Sequence, residues 1–300
     1  MISKSLKAHL ALFGANLIYG INYTVAKDVM PNYLHPSGFV VLRIIGANLL
    51  FWILGSIYKT EKIEKNDRLR LLLCAVFGVA VNQLFFFEGL SRTTPINAGI
   101  LMVVTPILVL VISNIILREK ITFLKIAGVV TGISGALFLL LSKGKSSFSN
   151  NTFLGDVFIF LNAASYAVYL VIVKPLMFKY HPVTVMKWVF LLGLLLVFPF
   201  GFNEFRDISW NTIPTIIYFE IFYVIVFTTF LAYLLNTFGL HHMNPSVVSI
   251  YIYLQPLLAA FIAVILGKDV IDFTKIISAA LIFTGVYLVS YIPYKNKIYD

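Results

Sequence analysis

PINAGILMVVTPILVLVISNIILREKITFLKIAGVVTGISGALFLLL, residues 95–141, decides the fold, because the same pattern returns 150 residues later without a gap as PSVVSIYIYLQPLLAAFIAVILGKDVIDFTKIISAALIFTGVYLVSY, residues 245–291. The punctuation coincides: Pro95 falls on Pro245, Pro106 on Pro256, Phe123 on Phe273, Lys125 on Lys275 and Gly135 on Gly285. Each copy reads as a long apolar segment with a proline inside it, a short charged corner, and a second apolar segment. A chain built from two such related halves is expected.

Composition fixes the solvent. With 60% hydrophobic residues, 12% charged residues and a mean hydropathy of +0.92, the 300-residue chain lies outside the range of soluble domains and belongs in a lipid bilayer. One crossing takes roughly 20 helical residues, and the sequence supplies ten such runs, at about 8–28, 37–58, 69–90, 95–117, 124–142, 154–174, 183–203, 214–238, 245–267 and 273–292. The ~10-residue alternation of a membrane β-barrel is missing. The expected fold is all-α and integral to the membrane. The net charge of +10 is spread over short loops rather than gathered on one face, so it argues orientation, not nucleic-acid binding. The single cysteine, Cys74, excludes an internal disulfide and a cysteine metal cluster. Asn16, Tyr19, Gly20 and Asn22 interrupt the first apolar run, which therefore reads as a retained span rather than a signal peptide.

Loop charges give the topology. If the N-terminus is cytoplasmic, most of the 23 lysines and arginines collect on that side, among them Lys4, Lys7, Lys62, Lys65, Arg68, Arg70, Arg118, Lys120, Lys174, Lys179 and Lys295, so both termini are predicted cytoplasmic. Five spans per half is an odd number. The second half, residues 146–300, then enters the membrane opposite to the first, residues 1–145, giving two inverted five-helix repeats. The corner Arg118-Glu119-Lys120 would face the cytoplasm and its counterpart Lys268-Asp269 the outside. The pairing extends backward. Asn82-Gln83 lies opposite Ala232-Tyr233 and Gly89-Leu90 opposite Gly239-Leu240, while Tyr19 and Lys27 sit 147 residues before Tyr166 and Lys174.

With these residues in view the chain resembles the EamA repeat of the drug/metabolite transporter superfamily. NQLFFFEGLSRTTPINAGILMVVTPILVLVISNIILREKIT, residues 82–122, carries a third span ending near Gly-Leu, a fourth with a central proline, and a Leu-x-Glu-Lys-type corner; residues 232–285 resemble the second copy. Asn16 and Tyr19 in the first span and Arg43 early in the second also fit. Two departures are Glu88, where a small apolar residue is usual, and Lys268-Asp269, where the second corner usually carries Glu. The resemblance implies a multi-pass carrier of the plasma membrane (the bacterial inner membrane), exporting amino acids or other small polar metabolites by alternating access. It implies no cofactor, and partners limited to the lipid bilayer, a small-molecule substrate and, in a homodimer, a second copy; a monomer is equally open.

Polar side chains at mid-membrane depth are the candidate site. Asn16, Tyr19 and Tyr23 share one face of the first span by i, i+3, i+7 spacing, and Asn162, Tyr166 and Tyr169 repeat the pattern in the sixth. Such faces either line a substrate site or hold helices together by hydrogen bonds of about 0.6 kcal/mol each. Asn82, Gln83, Tyr233, Asn236, Ser249, Tyr253 and Gln255 are candidates of the same kind. Arg43, Glu88 and Glu220 lie at similar depth, which predicts that Arg43 pairs with one carboxylate and leaves the other free for proton coupling; structural neutralisation of Arg43 alone, or snorkelling of Glu88 toward the headgroups beside Arg92, is the alternative. Pro106 and Pro256, each mid-span, are the expected flexible points, or else packed kinks. Gly128, Gly132 and Gly135 form a small-residue stripe that permits close helix approach, for packing inside the half or for dimer contact. His241-His242 lacks a supporting Cys, Asp or Glu, so no metal is expected. No phosphate-binding glycine loop, HExxH or GxSxG is present, which argues against an ATP-driven pump or a hydrolase. A non-transporting membrane protein, an intramembrane lipid-modifying enzyme or a sensor, is the competing class.

Overall fold

The computed structural model of the chain describes residues 4–58, 60–142, 152–265 and 272–291. The second corner, Lys268-Asp269, falls outside them. Among the described residues every element is helical. The rods are α1 Lys4–Val29, α2 Pro36–Ile57, α3 Lys65–Arg92, α4 Pro95–Leu117, α5 Phe123–Ser142, α6 Phe153–Lys179, α7 Pro182–Arg206, α8 Thr215–His242, α9 Pro245–Ile262 and α10 Phe273–Ser290. All but α1 are long and apolar enough to cross a bilayer, nine helices in the described residues. These are nine of the ten expected spans. At 26 residues α1 has the length, but Lys4, Lys7, Asn16, Asn22 and Lys27 lower its hydropathy; Asn16 and Asn22 are turned inward and buried, while Lys4 and Lys7 are exposed.

Helix contacts come in exchangeable pairs. Helix α1 packs on α8 and α9, just as α6 packs on α3 and α4, while α2 packs on α7 and α5 on α10. Glycines let the backbones meet. A Cβ on Gly128 would lie 2.8 Å from the Gly285 carbonyl, and one on Gly285 would lie 2.7 Å from that of Gly128, so the α5 stripe serves α5–α10 packing inside the molecule.

Two lysines fix the ends of this arrangement. Helices leave their last carbonyls without intrahelical donors. At the end of α3, Lys27 from α1 donates to the carbonyls of Leu90 (2.7 Å), Ser91 (3.0 Å) and Thr93 (3.0 Å). At the end of α8, Lys174 from α6 donates to those of Leu240 (2.7 Å), Met243 (2.9 Å) and His241 (3.5 Å). In each case an ammonium sits where the helix dipole is negative. The acceptors are related by the 150-residue offset already seen in the sequence.

The charged connection after α2 is a clamp rather than a free linker. Glu61 accepts from the His181 backbone N–H at 3.2 Å and from the Thr184 hydroxyl, the Glu64 N–H donates to the Tyr180 hydroxyl at 3.1 Å, and Lys179 bridges Glu64 and Asp67 at 3.0 and 2.9 Å. These contacts join the two halves at the α6–α7 turn. Partial burial raises the Glu61 carboxyl, but its hydrogen bonds with Thr184 and His181 outweigh that and hold it below the usual carboxylate value.

Helices α4 and α9 break in the same place. In α4 the chain tightens at Val103 and Val104, whose N–H groups bond three residues back, before Pro106 opens the second half. In α9 a tight turn at Tyr251–Tyr253 precedes Pro256. Each break thus precedes its proline, whose missing N–H and ring disfavour a regular turn before it.

Candidate functional site

At the centre lies a cavity. Helix α1 contributes Tyr19, Asn22 and Tyr23; α2, Arg43; α3, Asn82, Gln83, Phe86 and Phe87; α4, Met102; α6, Asn162 and Tyr166; α8, Thr228 and Tyr233; and α9, Ile252 and Gln255. Both halves therefore share one site. An adjoining cavity shares Tyr23, Met102, Ile252 and Gln255 with it and continues between α1, α4 and α9 past Gly20, Thr24, Pro95 and Pro256.

Two widened turns shape the wall. Residues 76–80 of α3 and 224–231 of α8 wind with i→i+5 hydrogen bonds, closed by Val81 N–H to Val76 and Ala232 N–H to Phe227. Such turns add a residue to the helix and free backbone groups, and they recur at functional sites. The Gly78 carbonyl in the first accepts from the Tyr233 hydroxyl at 3.1 Å. That hydroxyl also lies 3.2 Å from Asn82 Oδ1 and accepts from Gln83 Nε2 at 3.2 Å, tying α3 to α8 across the cavity. In the second turn, Thr229 accepts from Arg43 Nε at 2.7 Å and passes its own proton to the Val224 carbonyl at 2.6 Å.

Most of the sequence candidates meet here, but five do not. Asn16 is spent between helices: it donates to the Leu12 carbonyl and accepts from Gln255 Nε2, both at 2.8 Å, so the hydrogen-bonding alternative holds for it. Tyr169 is buried against Gly78 with its hydroxyl 3.8 Å from Met186 Sδ, and Tyr253 is packed on Gly132. Asn236 donates to the Tyr166 hydroxyl and Ser249 to the Ser246 carbonyl at 3.1 Å, both outside the cavity wall; the other candidates line the cavity, Asn162 bonding the Asn82 carbonyl at 2.7 Å.

The expected pairing of Arg43 with a carboxylate is overturned. Its guanidinium lies 4.3 Å over the Phe87 ring and bonds only Thr229. Glu88 is engaged by Arg92 and by the Ser37 hydroxyl at 2.7 Å, and neither it nor Glu220 reaches the cavity. Similar depth was the sequence argument, but it does not specify the direction in which each side chain leaves its helix. Lys187 sits over Trp52 at 4.5 Å and Trp188 at 5.7 Å, as an anchoring residue would.

Sequence reasoning missed Asn22, Thr228, Phe86, Phe87, Met102 and Ile252. Asn22 stands one helical turn after Tyr19 and was accessible to the same spacing argument. Thr228-Thr229, a polar pair inside an apolar run, also carried a signal. The apolar residues carried none in a chain so hydrophobic throughout.

A family model matches the chain twice, over residues 6–141 and 153–291, and the chain belongs to the EamA-like transporter family. An uncharacterized transporter of Archaeoglobus fulgidus is 26% identical over 273 residues, covering 90% of this chain and 94% of that protein. The uncharacterized transporter YyaM of Bacillus subtilis is 23% identical over 292 residues, covering 96% and 94%. A crystal structure at 17% identity superposes with a TM-score of 0.75 over 96% of this chain and 98% of its own, which speaks for the fold alone. The protein is thus a multi-pass membrane protein of a transporter family.

Proposed function

We propose that this chain is a secondary transporter, not an enzyme, exporting a small polar metabolite by alternating access between inverted repeats, residues 1–145 and 146–300, in the bacterial inner membrane with both termini cytoplasmic. The observation that carries the reading is the polar, aromatic cavity built jointly from both halves at the level of the two widened turns. The exchangeable helix pairs and the Lys27 and Lys174 caps support the inverted relation, and on that basis α1 makes the tenth crossing. Pro106 and Pro256 are the mobile points, each beside a break in its helix, and Pro256 borders the adjoining cavity. Glu220, whose Oε2 meets no donor, is the coupling candidate to test, since Glu88 is engaged.

The test is counterflow into proteoliposomes across a panel of labelled amino acids and other small metabolites. Uptake above empty vesicles for one compound class is expected. Absence of flux for every compound overturns the reading and returns weight to the enzyme or sensor class. If flux keeps its full pH dependence in Glu220→Gln, coupling does not run through Glu220.

A further inference from the structure

We infer that the central cavity takes an organic monoanion: a carboxylate gripped by Arg43, attached to an apolar or aromatic body and carrying no ammonium group. The inference deepens the transport reading and rests on it for what the site does.

Arg43 is 3% exposed, and a charge buried within a membrane span is unfavourable unless something answers it. Among the described residues no carboxylate answers it. Nε is used by Thr229, while the two terminal amino groups donate to no protein atom among them. The Phe87 ring lies under the guanidinium and restrains its plane. A planar fork of parallel N–H donors in a wall without an acidic residue fits one carboxylate, with two charge-assisted hydrogen bonds.

The rest of the wall defines what the carboxylate is attached to. Tyr19, Tyr23, Phe86, Met102 and Ile252 give rings and apolar surface for a hydrophobic body. The amide oxygens of Asn22, Gln83 and Asn162 are buried without a donor, and so can accept from a neutral N–H or O–H of the ligand. An α-ammonium group would leave a net positive charge in the filled cavity, with no carboxylate to compensate it. A dianion would bring two charges against one cation. A monoanion alone leaves the filled site neutral.

Isothermal titration of the purified full-length protein at neutral pH tests this with 3-phenylpropanoate, its neutral amide 3-phenylpropanamide, 3-phenylpropylammonium and phenylalanine, which is 3-phenylpropanoate plus an α-ammonium. The carboxylate should bind at least about tenfold more tightly than each of the others. In Arg43→Gln that preference should vanish while the amide still binds. Equal or tighter binding of the amide, the amine or phenylalanine overturns the inference, as does failure of the carboxylate to bind at millimolar concentration. The wild-type comparison needs no variant and stands even if Arg43→Gln does not fold. Proteoliposome counterflow with labelled 3-phenylpropanoate separates the two claims: selective binding without flux defeats the transport reading only, whereas flux of other metabolites without carboxylate preference defeats this inference only.

Discussion

Replacing Lys174 by Met removes the ammonium that closes the end of α8 and keeps the length of the side chain. Lys174 is 4% exposed and makes two short bonds, to Leu240 and Met243, with a longer one to His241, and its Nζ also lies 4.4 Å over the Phe178 ring. Charge-assisted hydrogen bonds contribute about 1.5–3 kcal/mol each, and the orphaned carbonyls would add to the loss. Relief of burying the ammonium offsets part of it, leaving a net loss of about 3 kcal/mol. For a chain of this size that is a fall of roughly 6 °C in Tm. Cys74 supplies the assay, because it is the one cysteine in the sequence and is fully buried, so a thiol-reactive fluorophore reports unfolding in detergent. Lys27→Met should show a smaller fall, because Lys27 is only half-buried. The control is Lys187→Met, which gives up a cation–π contact worth about 0.5–1 kcal/mol. If Lys174→Met melts within a degree or so of Lys187→Met, the claim that these lysines hold the paired helix ends is wrong.

Three further outcomes follow from the same geometry. Gly285→Ala drives a methyl into the Gly128 carbonyl and should destabilise by about 1–3 kcal/mol, read as a lowered Tm with the same dye; an unchanged Tm would mean that α5 and α10 are not in backbone contact. Because the folded-state value of Glu61 lies below its unfolded value, its contribution is present above about pH 4.5 and fades as the pH falls through the folded value, so wild type should lose more stability than Glu61→Gln between pH 6 and pH 3. Parallel melting profiles of the two proteins over that range would refute the clamp at the α6–α7 turn. A reporter fused after residue 145 should be extracytoplasmic and one at the C-terminus cytoplasmic; a cytoplasmic result for the first, with a cytoplasmic N-terminus, ends the inverted topology.

Much of this was legible in the chain. The 150-residue offset that aligns Pro106 with Pro256 also aligns the breaks before them and the helix ends capped by Lys27 and Lys174, because a duplicated helix plan carries its punctuation with it. Mid-membrane polar residues such as Tyr19, Asn82 and Tyr233 point inward because lipid offers them no partner. Direction around each helix was harder. The widened turns at residues 76–80 and 224–231 shift the register of everything after them, and nothing in VFGVA or VIVFTTFL announces an extra residue per turn. Arg43 found Thr229, inside the second of these turns, instead of a carboxylate. Asn16 and Tyr169 followed the spacing rule but face neighbouring helices, since the rule gives a face and not what lies opposite it.

The central claim is that one cavity opens in turn to the two sides of the membrane. Its most direct test places a single cysteine at Phe86, half-buried in the cavity wall, in a Cys74→Ser background. The protein is then exposed to a membrane-impermeant maleimide from either face of sealed, oriented vesicles. The account predicts labelling from both faces, each blocked by a bound ligand. Labelling from one face only, under every substrate gradient applied, would contradict it.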